Sequence, residues 1–196
     1  DCGECDDTNT TDCIAAYDVY LDAGANLISF YALPEDVSIN SIFTELANGS
    51  GIIGEGVGAI NLNGQWYGSL TEVSQDDGYW VKVSTATTLH LGASEPVSYD
   101  ADGEVTYAID YGNNLVSYPF QTAQALGDAL GDAAADIYAV AGQGVAALNT
   151  GTELGGEDGW AGSLTAFEGG SGYWLVATNE DGFDFTYDGH GDLARS

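Results

Sequence analysis

Between residues 17 and 31 apolar and polar positions alternate on either side of Gly24 and then merge into the run Leu27, Ile28, Phe30, Tyr31. That pattern predicts a hairpin about Gly24 whose second strand is well buried. Over residues 38–46 the period changes, because Ile39, Ile42, Phe43 and Leu46 fall on one helical face and Ser38 is placed to cap the first turn. The Ala- and Leu-rich stretch 122–135 predicts a second helix. Strands are expected for the Gly-rich run 52–60 and for 66–70 and 79–83, with a closing strand at Leu89 and Leu91 or, in the second half, at Phe183 and Phe185.

The same pattern occurs twice. At an offset of 88 residues, Leu21-Asp22-x-Gly24-x-Asn26-Leu27-Ile28-Ser29-Phe30 lies over Ile109-Asp110-x-Gly112-x-Asn114-Leu115-Val116-Ser117-Tyr118. That offset also carries Gly54-x-Gly56-Val57-x-Ala59-x-Asn61 onto Gly142-x-Gly144-Val145-x-Ala147-x-Asn149. After six extra residues, Trp66-x-Gly68-Ser69-Leu70-Thr71 meets Trp160-x-Gly162-Ser163-Leu164-Thr165, and Gly78-Tyr79-Trp80 meets Gly172-Tyr173-Trp174. Four blocks in one order mark an internal duplication. The six-residue insertion falls in a Gly- and acid-rich stretch, which predicts a surface loop.

The fold class expected is α+β, mainly β: two tandem homologous β-rich units, each with one short helix, stacked end to end. Residues 1–16 read as a leader rich in Cys and Asp, 17–97 as the first unit, and 98–196 as the second unit with an acidic tail. Units of this size can each cover a core, with a shared interface between them.

Composition then narrows the chemistry. The 196 residues include 31 acids and only 2 Lys or Arg, a net charge of −29, while 44% of the chain is apolar. Disorder is therefore not expected. A nucleic-acid binder needs cations to displace phosphate counterions and is excluded, as is polybasic attachment to an anionic membrane. No apolar run approaches the ~18 residues of a spanning helix, so membrane insertion is not expected. Met is absent, from which we expect a processed chain or a segment of a longer one. Cysteine is confined to Cys2, Cys5 and Cys13. Such clustering suits disulfides in an oxidising compartment, though an odd count leaves their pairing open between a free thiol, a partner elsewhere and a three-thiolate metal site. The sequons at Asn9 and Asn48 fit an exported glycoprotein.

A catalytic group that belonged to the repeated module would occur in both copies. His90 aligns with Asp184, and His190 lies beyond the second unit. Both read as exposed histidines. Ser69 and Ser163 are shared, but Gly-Ser-Leu lacks the second glycine of a nucleophile elbow, which points to a structural hydroxyl. The 54–58 run, Gly-Glu-Gly-Val-Gly, is no phosphate loop, since it opens no helix and the chain's charge repels phosphate; its glycines suit a bulge or close packing. Trp66, Gly68 and Leu70 share one strand face, the pattern of a core contribution. Trp66, Tyr67, Trp80, Trp160 and Trp174 are the residues able to stack on sugar rings. Asp100, Asp102 and Glu104, with Asp181 and Asp184, form two loose calcium loops, and calcium is the one candidate cofactor, although none is required. Carboxylates are too many for a glycosidase pair to be singled out.

The blocks NLISF, GEGVxAxN, WxGSLT and GYWxxV together resemble the tandem surface modules of large acidic secreted or structural proteins from marine bacteria and their viruses. The resemblance spans roughly residues 17–187, and the leader is similar to the Cys- and Asp-rich segments that precede such modules, departing from them by one residue and an odd cysteine count. It implies an extracellular, cell-surface or virion-surface building block and brings no catalytic residue with it. The expectation is a non-enzymatic structural or adhesive subunit of an appendage, filament or virion surface, which self-associates or contacts neighbouring subunits. The alternative is a calcium-dependent carbohydrate-binding module whose partner is a glycan.

Overall fold

The computed structural model describes residues 16–92, 94–96, 105–151 and 159–187. The first half contains β1 (Tyr17–Leu21), β2 (Gly24–Ile28), β3 (Ala32–Leu33), α1 (Ile39–Ile42), β4 (Gly51–Ile53), β5 (Gly58–Leu62), β6 (Gln65–Gly68), β7 (Tyr79–Val83), β8 (Thr87–Leu91) and β9 (Glu95–Pro96). The second contains β10 (Thr106–Ile109), β11 (Gly112–Val116), β12 (Gln124–Ala125), α2 (Leu126–Leu130), a 3-10 turn (Gly131–Asp136), β13 (Ile137–Gly142), β14 (Val145–Asn149), β15 (Trp160–Gly162), β16 (Ala166–Phe167), β17 (Tyr173–Ala177) and β18 (Phe183–Thr186). The chain is thus α+β and mainly β.

Strands pair in the same order in both halves. A five-stranded antiparallel sheet β2-β7-β4-β5-β6 and a ribbon β1-β8 recur as β11-β17-β13-β14-β15 and β10-β18. The offset that aligns the sequences maps one list onto the other. Each half buries its own core: Phe30, Phe43, Ile52, Tyr79 and Leu89 in the first, and Tyr118, Leu126, Val140, Phe167 and Leu175 in the second. Each fully buried apolar side chain contributes roughly 1.5–3 kcal/mol.

The hairpin expected about Gly24 does not form. β1 pairs with β8 and β2 with β7, so the two neighbouring strands enter different sheets. Asn26 is the physical reason, since its Oδ1 accepts the Asp22 N–H at 2.9 Å and its Nδ2 donates to the Asp22 carbonyl at 2.8 Å. These bonds occupy the backbone groups a hairpin would use and turn a corner instead. Asn114 holds Asp110 in the same way, at 2.8 Å for both bonds.

Both helices are shorter than their patterns predict. Ser38 caps α1 as expected, its Oγ accepting the Ser41 N–H at 3.3 Å, but the helix ends at Ile42. In the second half Gly131, at φ 48°, stops α2 and the chain continues as a 3-10 turn. The Gly-rich run 52–60 is a hairpin, β4 and β5, rather than one strand.

Candidate functional site

β2 and β11 each lie at one end of a five-stranded sheet, and an edge strand there presents unpaired backbone groups. Each is covered by the other half of the molecule. On β11 the Leu115 carbonyl accepts the Gly78 N–H at 3.3 Å and the Ser117 N–H donates to Asp76 at 2.9 Å, while at β2 the Leu27 carbonyl accepts the Gly172 N–H at 3.3 Å and the Ser29 N–H donates to Gly170 at 2.9 Å. The tips of the β4–β5 and β13–β14 turns complete the exchange. Glu55 Oε2 accepts the Leu115 N–H at 2.7 Å, and Gln143 Oε1 accepts the Leu27 N–H at 2.8 Å.

Every one of these contacts has its counterpart at the equivalent position, which is the reciprocal pattern of a twofold interface. Stacking end to end would give contacts in one direction only, so that expectation is corrected. Gly78 and Gly172, the glycines of the two Gly-Tyr-Trp blocks, lie in this seam: a methyl group at Gly172 would stand 2.7 Å from the Ile28 carbonyl oxygen, and one at Gly78 would stand 2.9 Å from that of Val116.

The two sides of the seam differ in charge. Glu55, Asp76 and Asp77 on one side correspond to Gln143, Gly170 and Ser171 on the other. Burial, then the neighbouring Asp76 and Glu55 charges, push the Asp77 carboxyl above its ordinary range, against the lowering effect of the Tyr79 hydroxyl. The Gln143 side holds a cleft of about 330 Å³ between Leu27, Gln143, Ser163, Thr165, Glu168 and Tyr173, in which Glu168 is the one carboxylate.

Several other polar residues shared by both halves hold backbone groups. Tyr79 and Tyr173 reach into their cores and accept the Ser74 and Glu168 N–H groups at 2.6 and 2.8 Å, and burial raises both phenols, keeping them protonated. Asn61 donates to the Leu46 carbonyl and accepts the Gly64 N–H; Asn149 bonds the Ala134 carbonyl and the Gly151 N–H. Ser69 Oγ accepts the Gly58 N–H at 3.2 Å while its own N–H donates to the Gly58 carbonyl at 2.9 Å. Ser163 does the same to Ala146. These serines are structural hydroxyls. Gly68 and Gly162 are required beside them, because a Cβ there would lie 2.0 and 2.1 Å from the carbonyl oxygens of Gly58 and Ala146.

The residues singled out for sugar stacking divide between two faces. Trp66 turns to the first core, 6.2 Å from the Phe43 ring centroid, with Leu70 buried on the same side, and Trp160 packs against the second core. Tyr67 is exposed and Trp80 half-buried on the opposite face of the first sheet; Trp174 holds the place of Trp80 in the second. His90 is exposed, its Nδ1 2.7 Å from Asp18 Oδ1 across the β1–β8 ribbon. Asp181 and Asp184 are both exposed, with Asp184 on β18, and among the described residues no group of three or more His, Cys, Asp or Glu is arranged to hold a metal ion. Cys2, Cys5, Cys13, Asp100, Asp102, Glu104, Asn9, His190 and the six-residue insertion lie outside the described residues. Among those described, no helix is long and apolar enough to cross a membrane.

Sequence reasoning missed Glu55 and Gln143 as seam residues. Their common position at the centre of Gly-x-Gly in both repeats was the available signal. Compared with known proteins, the chain matches no family model, no curated protein and no solved structure.

Proposed function

We propose that this chain is a non-enzymatic structural or adhesive subunit of an extracellular assembly, displayed on an appendage, filament or virion surface. The observation that carries the reading is the use made of the repeated side chains. Asn26, Asn61, Ser69 and Tyr79, with their counterparts Asn114, Asn149, Ser163 and Tyr173, each hold a backbone group, so these repeated polar side chains serve the chain's own architecture. A module duplicated for chemistry would repeat its reactive groups; one duplicated for construction repeats its joints. The test is fractionation of the native source with an antibody to the chain. Recovery in a surface polymer or particle supports the reading, and a measured turnover that disappears on replacing one acidic residue overturns it.

A second reading, a calcium-dependent carbohydrate-binding module, is favoured by Tyr67 and Trp80 sharing the outer face of one sheet, where a sugar ring can stack. Glycan-array binding abolished by EDTA would support it, and no binding at any calcium concentration would remove it.

A further inference from the structure

The sequence holds two Asn-Gly pairs, Asn48-Gly49 and Asn63-Gly64, both in the first half and both exposed, and the second half repeats neither. In such a pair the glycine nitrogen can attack the preceding asparagine side chain with no Cβ to hinder it, which makes the asparagine chemically labile. Asn63-Gly64 is the two-residue turn between β5 and β6, with φ 57° at Asn63 and 84° at Gly64, the left-handed pair such a turn demands. β6 is the outer strand of its sheet and, paired on one side only, opens more readily than the strands within.

One buried residue meets both pairs. Asn61 Oδ1 accepts the Gly64 N–H at 2.9 Å, and the Asn61 carbonyl accepts the Gly49 N–H at 2.8 Å. These two nitrogens are the attacking atoms, and each is engaged as a hydrogen-bond donor. Asn48 has a second restraint, because its Oδ1 accepts the Asn63 N–H at 2.9 Å. Protection of Asn63 thus rests on a side chain, whereas that of Asn48 rests on a backbone carbonyl and on its own anchor.

We propose that Asn63-Gly64 is a latent self-modification site and that the Asn61 side chain guards it. When the Gly64 N–H is released and gives its proton to hydroxide, the nitrogen attacks Asn63 Cγ. A C–N bond forms, the Cγ–Nδ2 bond breaks, and the leaving nitrogen takes a proton from water and departs as ammonia. Water then adds to one or other carbonyl of the resulting succinimide and opens it to aspartate or isoaspartate. Isoaspartate inserts a methylene into the main chain of a turn only two residues long, so the pairing of Leu62 with Gln65 does not re-form. The change is irreversible, and the turn therefore records how often this sheet edge has opened. This chemistry goes beyond the structural-subunit role and does not depend on it.

The test incubates the full chain at alkaline pH and reads the exchange of amide for acid at Asn48 and Asn63 by peptide mass spectrometry. Native wild type is expected to convert Asn63 roughly tenfold more slowly, or slower still, than the same chain unfolded in urea. In Asn61→Ala the Gly64 N–H loses its acceptor while the Gly49 N–H keeps the backbone carbonyl. Asn63 is then expected to convert roughly tenfold faster than in native wild type, with Asn48 unchanged. The unequal response of two sites in one molecule separates loss of the guard from loss of the fold, which frees both. If circular dichroism shows the variant unfolded, the wild type decides: across urea concentrations below its transition, Asn63 conversion should rise in step with hydrogen exchange at the Gly64 amide. Native wild type that converts Asn63 at its unfolded rate overturns the proposal, as does conversion that does not follow Gly64 exchange. So does a folded Asn61→Ala in which Asn63 stays as slow as in wild type, or in which Asn48 accelerates equally.

Discussion

The Glu55 carboxylate accepts the backbone N–H of Leu115 at 2.7 Å, across the join between two halves that are separate in sequence. Gln143 performs the same office for Leu27. The charge at this position is therefore dispensable and the acceptor oxygen is not. Glu55→Gln is expected to leave stability unchanged or slightly raised at neutral pH, since it keeps an acceptor and removes a charge facing Asp77. Glu55→Ala leaves the Leu115 N–H without its partner and is expected to cost about 1–3 kcal/mol. Urea unfolding of the two variants checks both.

Asp77 gives the seam a pH dependence. Its folded-state carboxyl lies above its ordinary range, through burial first and then the Asp76 and Glu55 charges. A group raised on folding contributes stability that is fully present below its unfolded value and is lost as pH rises through the folded one. Wild-type stability should therefore lose this contribution between acid and neutral pH. Asp77→Ser copies Ser171 of the other half and removes the effect. The variant is expected to melt above wild type at pH 7, with the difference shrinking as pH falls below the ordinary aspartate range. A constant difference across the series would contradict this account.

Gly68→Ala is expected to destabilise by about 3 kcal/mol or more, because the new methyl group would meet the Gly58 carbonyl oxygen of β5 and the strand has no room to move. Gly64→Ala is the control. It meets nothing within 4 Å and carries only the strain of φ 84°, about 1 kcal/mol. Thermal melts of both variants separate close packing from backbone strain.

Asn26→Ala removes the side chain that holds Asp22 at the corner between β1 and β2. The two backbone groups then lose their partner, and a cost of about 1–3 kcal/mol is expected. Asn114→Ala should cost a similar amount. Chemical denaturation of the pair checks whether equivalent corners have equivalent energies.

The duplication, the β-rich class and the Ser38 cap were legible because they rest on residue type and local period. So was the structural role of Ser69 and Ser163. What escaped was anything set by distant pairing. Alternation through Gly24 reads as a hairpin whether β1 pairs with β2 or with β8, and only the Asn26 bonds, formed after folding, decide between them. The capping reach of Glu55 and Gln143 across the seam shows locally only as their shared place at the centre of Gly-x-Gly, which does not name the distant amide each one meets. Helix 122–135 was overread because its Ala and Leu content outweighed Gly127 and Gly131 in the pattern, whereas the backbone followed the glycines.

Hydrogen exchange at the four seam amides, Leu27, Ser29, Leu115 and Ser117, tests most directly whether the repeated residues make two units into one joined structure. In Gln143→Ala the Leu27 N–H loses its acceptor. The account predicts that Leu115 and Ser117, which bond the first half, lose protection along with Leu27 and Ser29, because the seam opens as a unit. If Leu115 and Ser117 keep their wild-type protection while Leu27 and Ser29 exchange, the halves are independent modules and the central claim fails.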